Sequence, residues 1–96
     1  MTIYIAHQAF SGPYDSADPV ADRAGIFAIL SGPGHQQKIH CLAQSANVRT
    51  ALILRLKEHD FAARTDLAIA VHYTPGVQAS ARKHMTEKLL REITIK

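Results

Sequence analysis

The six residues Gly25-Ile26-Phe27-Ala28-Ile29-Leu30 form a nearly unbroken apolar run. A strand that faces water on one side alternates apolar and polar residues. A run without that alternation belongs to a strand buried on both faces. The chain must therefore cover a sheet from two sides, and 96 residues leave room for one core only. We read residues 1–96 as a single domain, with 1–24 as an N-terminal strand and loop ahead of a core over 25–96.

The remaining elements follow from local pattern. Ser31-Gly32-Pro33-Gly34 predicts a turn, and Lys38–Gln44 a second strand, so the two runs form an antiparallel hairpin. Ser45 stands where a helix N-cap belongs, ahead of a helix over Ala46–His59 whose apolar face carries Val48, Leu52, Leu56 and His59, with Ala51 beside it. Ile53 and Leu54 widen that stripe, which suits either packing on two sides or a hydrophobic partner surface. Phe61–Asp66 reads as a connection and Leu67–Thr74 as a third strand, closed by Pro75-Gly76. Val77–Ile93 is a second helix, with Ala81, Met85, Leu89 and Ile93 on one face and Arg82, Lys83, Lys88 and Arg91 on its other sides.

Upstream, Thr2–Ala6 predicts a short strand, and the turn-rich residues 11–19 an ordered loop. Val20–Arg23 predicts one helical turn, capped by Asp18 with Pro19 at its first position. The expected fold is α/β of the α+β kind: a small, mainly antiparallel sheet of three to four strands flanked by two long helices.

Charge is unevenly placed. Residues 1–24 carry Asp15, Asp18 and Asp22 against Arg23, a balance of −2, while residues 25–96 carry a balance of +5. A basic body attracts phosphate backbones without sequence preference. Arg49, Arg55, Lys57, Arg82, Lys83 and Lys88 are the candidate contacts for nucleic acid. The lone cysteine, Cys41, cannot form an internal disulfide, which fits a reducing, cytoplasmic compartment. No run approaches the ~18 apolar residues of a membrane span, so no membrane association is expected. The six histidines include His35, His40, His59, His72 and His84, but they form no recognisable ligand pair.

The hairpin–helix–strand–helix order, with its corner residues, resembles the GIY-YIG endonuclease domain over roughly Gly25 to Glu92. Gly25-Ile26-Phe27 stands at the family's Gly-Ile-Tyr triplet and Cys41-Leu42-Ala43 at its Tyr-Ile-Gly. Gln44-Ser45-Ala46-Asn47-Val48 follows, like the family's passage into its first helix. Tyr73-Thr74-Pro75 ends the third strand as in some members, and Glu87 matches the family's metal-binding glutamate.

The resemblance implies a site in which a tyrosine activates water, an arginine stabilises phosphate and the glutamate holds one divalent metal. This chain departs from it where the chemistry lies. Phe27 has no hydroxyl, Cys41 replaces the second tyrosine, and Ala51 stands in the arginine's place. Losing one preorganised donor costs about 10²–10³ in rate. Three functions remain open. One is a non-catalytic module that binds a protein partner, a second copy or nucleic acid. Another is a divergent nuclease using Glu87 with Mg²⁺ or Mn²⁺, in which Arg55 and Tyr73 stand in for lost groups. The last is an unrelated small α/β interaction domain. On the first reading no cofactor is expected.

Overall fold

The computed structural model describes residues 2–6, 8–31, 38–58, 61 and 67–94. The turn expected at 32–34, the connection at 62–66, and His35 and His59 lie outside those residues.

Five strands form one antiparallel sheet: β1 (Thr2–Ile5), β2 (Gln8–Tyr14), β3 (Gly25–Ser31), β4 (Lys38–Ser45) and β5 (Leu67–Tyr73), in the spatial order β1-β2-β5-β3-β4. Helix α1 (Val48–Leu56) follows β4, and helix α2 (Ala79–Thr94) follows β5. Among the described residues the chain adopts the expected α+β class, with a mainly antiparallel sheet and two helices of more than one turn. The N-terminal residues add two strands to the hairpin and β5 rather than one.

The unbroken apolar run has the consequence its pattern implies. All seven residues of β3 are buried, because it lies between β4 and β5 and carries a core on each face. On one face Ile26, Ala28 and Leu30 pack with Phe10, Ala70 and Leu89 of α2, joined by Met85 and Ile93. On the other, Phe27 and Ile29 pack with Val48 and Leu52 of α1 and with Ile69 and Val71. One helix therefore covers each face, giving three layers. Among the described residues no helix is long and apolar enough to cross a membrane.

Three local expectations are corrected. Residues 11–14 belong to β2, although Ser11-Gly12-Pro13 carries turn residues. A bulge between Ser11 and Tyr14 absorbs them, with Ser11 opposite Val71 and Tyr14 opposite Ile69. Val20–Arg23 is not a helical turn: Val20 is buried in the α1-face core, and the Val20 N–H closes a turn on the Ala17 carbonyl at 3.0 Å. Finally, α1 starts two residues late. Ser45 ends β4, and Asn47 is the N-cap without a side-chain cap bond.

The missing cap comes from elsewhere. Asp22 accepts the Thr50 N–H at 3.1 Å and the Thr50 hydroxyl at 3.0 Å, while the Arg23 carbonyl accepts the Val48 N–H at 2.9 Å. A carboxylate at a helix N-terminus satisfies an orphan donor and opposes the helix dipole favourably. Asp22→Ala is expected to cost about 1 kcal/mol, the usual effect of losing a cap. In a urea titration the midpoint should fall while the slope stays constant.

Candidate functional site

The α1 face of the sheet gathers the residues singled out by the resemblance, with one exception. Phe27 on β3, Cys41 on β4, Ala51 on α1 and Tyr73 on β5 all belong to or pack against the same core. Phe27 is only 2% exposed and stands between Ala43 and Val71 in the strand ladders. The Tyr73 hydroxyl, considered as a stand-in for a lost tyrosine, accepts the Ala21 N–H at 2.9 Å. Arg55 lies on the same side of α1 as Ala51, near enough for its charge to act on Cys41, and is paired with Glu58 at 3.2 Å.

The exception is Glu87. It is exposed on α2, the helix that covers the opposite face, where Leu89, Met85 and Ile93 make the sheet contacts. The sheet itself separates Glu87 from Phe27, Cys41, Ala51, Arg55 and Tyr73. A metal held by Glu87 would face solvent on one side of the molecule, with those residues on the other.

Segment 15–24 covers what remains of the α1 face. Beside the Asp22 cap and the bond to Tyr73, Arg49 Nε donates to the Ala17 carbonyl at 3.4 Å, and the Arg49 guanidinium lies 3.9 Å from Asp18. The Thr74 N–H donates to the Ala24 carbonyl at 2.9 Å. An acidic segment thus lies along the N-terminal end of α1, and two of its aspartates face α1 residues. Arg49 and Arg55 occupy different sides of α1, as helical spacing predicts for an offset of six residues.

Cys41 is half-buried. Burial pushes its thiol above its ordinary range, opposed by the Arg55 charge and reinforced slightly by Glu58. The thiolate is the reactive form. Iodoacetamide should accordingly modify Cys41 in the folded chain more slowly than a free cysteine at pH 8, and unfolding in urea should restore the free rate.

The six basic residues considered for nucleic acid do not share a face. Arg49, Arg55 and Lys57 belong to α1 and its end, whereas Lys83 and Lys88 are exposed on α2 across the sheet. Lys88 lines a cleft of about 330 Å³ with Ala6, Gln8, Met85, Leu89 and Glu92. Arg82 is a correction: expected on an outer side of α2, it is 5% exposed, and its Nε donates to Gln44 Oε1 at 2.7 Å. Ala81, expected on the inner face, is exposed instead. Met85, Leu89 and Ile93 of the expected face do pack on the sheet, while Arg82 and Thr86 are buried beside them, so Ala81 alone departs from the apolar pattern.

Sequence reasoning gave no role to Gln44 as a partner for a buried cation, nor to the bond of 3.0 Å from His72 Nδ1 to the Ala9 carbonyl. Both are contacts across more than 30 residues, invisible to spacing. Ser31 Oγ lies 2.6 Å from His40 Nε2, where β4 bulges against β3. Among the described residues no three His, Cys, Asp or Glu side chains gather where they could hold a metal ion. Comparison with protein-family models, curated proteins and solved structures finds no match to this chain.

Proposed function

We propose that this chain is a non-catalytic, GIY-YIG-like module that acts by binding, and that it binds protein in preference to nucleic acid. One observation carries the first half. The positions where the resembled family keeps its reacting groups hold Phe27, Cys41 and Ala51, packed into the α1-face core, while Glu87 stands on the far side of the sheet. Hydrolysis of a phosphodiester needs a positioned nucleophile and positive groups converging on one phosphate, and the described residues at those positions supply neither, which supports this reading.

The preference for protein rests on the placement of the cations. Backbone-directed binding to nucleic acid draws on many Lys and Arg side chains facing one polyanion. Here the basic residues divide between two faces; Arg82 is buried, and Arg49 and Arg55 each have a carboxylate beside them. A gel shift with single- and double-stranded DNA and RNA at low and moderate salt tests this half. The expected result is no shift at micromolar protein. A shift that fades steeply with salt would instead assign the chain to nucleic acid.

A further inference from the structure

Two features at one strand have no part in the site described above. β4 is the last strand of the sheet, with β3 on one side and, among the described residues, no strand on the other. Along Cys41–Ser45, where β4 runs in regular register with β3, alternate N–H and C=O groups therefore point away from β3, the template on which an extended chain adds as another strand. The devices that usually blunt such an edge are few here. β4 is eight residues long, it lacks proline, and its only Lys, Arg, Asp or Glu is Lys38 at the first position. Its bulge at His40 leaves Cys41–Ser45 in regular register with β3. The opposite edge strand, β1, has only four residues.

The second feature is Arg82. It belongs to the first turn of α2, which packs against β4, and Gln44 near the C-terminal end of β4 holds its Nε. Gln44 is neutral, and the ion pairs among the described residues are Arg49–Asp18 and Arg55–Glu58, so no described carboxylate serves Arg82. A buried guanidinium without a counter-ion is costly, and a carboxylate reaching it forms a strong, poorly screened pair. Among the described residues, the side-chain polar atom that is sealed off without a partner is Thr74 Oγ1. Arg82 is 5% exposed, and none of its nitrogens is sealed off without a partner.

We propose that β4 takes an extended peptide as a sixth strand, and that Arg82 pairs with an aspartate or glutamate side chain of that peptide. The inference rests on the protein-binding reading above and names the chemistry of the partner. A second copy does not fit. β4 reads Lys-Ile-His-Cys-Leu-Ala-Gln-Ser, so pairing two β4 edges brings no carboxylate to either Arg82. Lys38 at one end and exposed Lys83 beside Arg82 add positive charge. Glu87, one turn beyond Lys83, confines the acidic requirement to the Gln44 end.

The test uses the full chain and eight-residue peptides of alternating threonine and valine, with one glutamate stepped through every position, and a matching glutamine set. Binding is read by fluorescence anisotropy and located by amide hydrogen exchange. Glutamate at one position should bind about tenfold tighter than its glutamine counterpart, the usual worth of a hydrogen bond to a charged group, with protection gained in β4. Arg82→Gln should abolish that preference. So should Gln44→Glu, which supplies a carboxylate from within and decides the matter if Arg82→Gln does not fold. Equal binding of both sets, no binding at millimolar peptide, or protection away from β4 would overturn the proposal. So would concentration-dependent protection of β4 without peptide, which gives the edge to a second copy. Failure here without a nucleic-acid shift leaves the protein-binding reading standing, whereas a salt-sensitive shift removes both.

Discussion

Gly12→Ala should lower the stability of this domain by about 3 kcal/mol, the combined cost of a backbone conformation closed to L side chains and of a steric overlap. Gly12 has φ +132°, and a Cβ there would meet the Ile69 carbonyl oxygen at 2.6 Å and Ala70 Cα at 3.3 Å. Those atoms belong to β5, which also pairs along its whole length with β3, so the backbone has little freedom to retreat. In a domain of this size the melting temperature should drop by roughly 12–24 °C. Gly25→Ala is the milder companion. Its Cβ would meet the His72 carbonyl oxygen at 2.7 Å, but its φ is ordinary. Gly76 has φ +76° with open space around it, so Gly76→Ala should cost least. Urea titrations of the three variants check the ranking; a Gly12→Ala protein as stable as the parent would contradict the path of β2.

Phe27→Ala should cost about 4 kcal/mol, within the range for deleting a buried aromatic ring. Total stabilities of such domains run at about 5–15 kcal/mol, so the variant should lose a large share of the total. The contrast with Phe27→Tyr carries functional meaning. If this position still opened on a catalytic groove, the added hydroxyl would find solvent and cost little. Packed as it is against the α1 core, the hydroxyl has no evident partner there and should cost about 1–3 kcal/mol. Thermal unfolding of the two variants beside the parent separates these cases.

The elements that sequence made legible are those whose burial follows a local pattern. β3 and β5 announce themselves by apolar runs, and the structure places both in the sheet interior, within one residue of the expected bounds at each end. α1 shows its buried positions Val48 and Leu52 in the spacing of its apolar residues. What sequence hid depends on distant partners. Ser11-Gly12-Pro13 reads as a turn because Gly and Pro are common there. Their use here is a bulge against β5, and Gly12 admits the Ile69 carbonyl. The cap of α1 comes from Asp22, 28 residues before Thr50, so no local rule could find it. Arg82 and Ala81 differ by one helical step, and apolar pattern alone favours alanine inside. The long arginine is buried because Gln44 waits beneath it.

The candidate site was less legible than the fold, for a related reason. The resemblance aligns Glu87 with Phe27, Cys41 and Ala51 along the chain, yet spacing says nothing about which side of a sheet a helix covers. With α1 on one face and α2 on the other, residues that align in order are held apart in space. The acidic balance of residues 1–24 is partly spent along the N-terminal end of α1. Asp18 and Asp22 lie along α1, at Arg49 and Thr50.

The most direct test of the central claim is a cleavage assay on single- and double-stranded DNA and RNA with magnesium, manganese or EDTA, comparing the parent chain with Glu87→Ala. A non-catalytic binding module predicts intact substrate in every lane, with the two proteins indistinguishable. Metal-dependent cleavage by the parent that disappears in Glu87→Ala would contradict the account and make this chain a working nuclease.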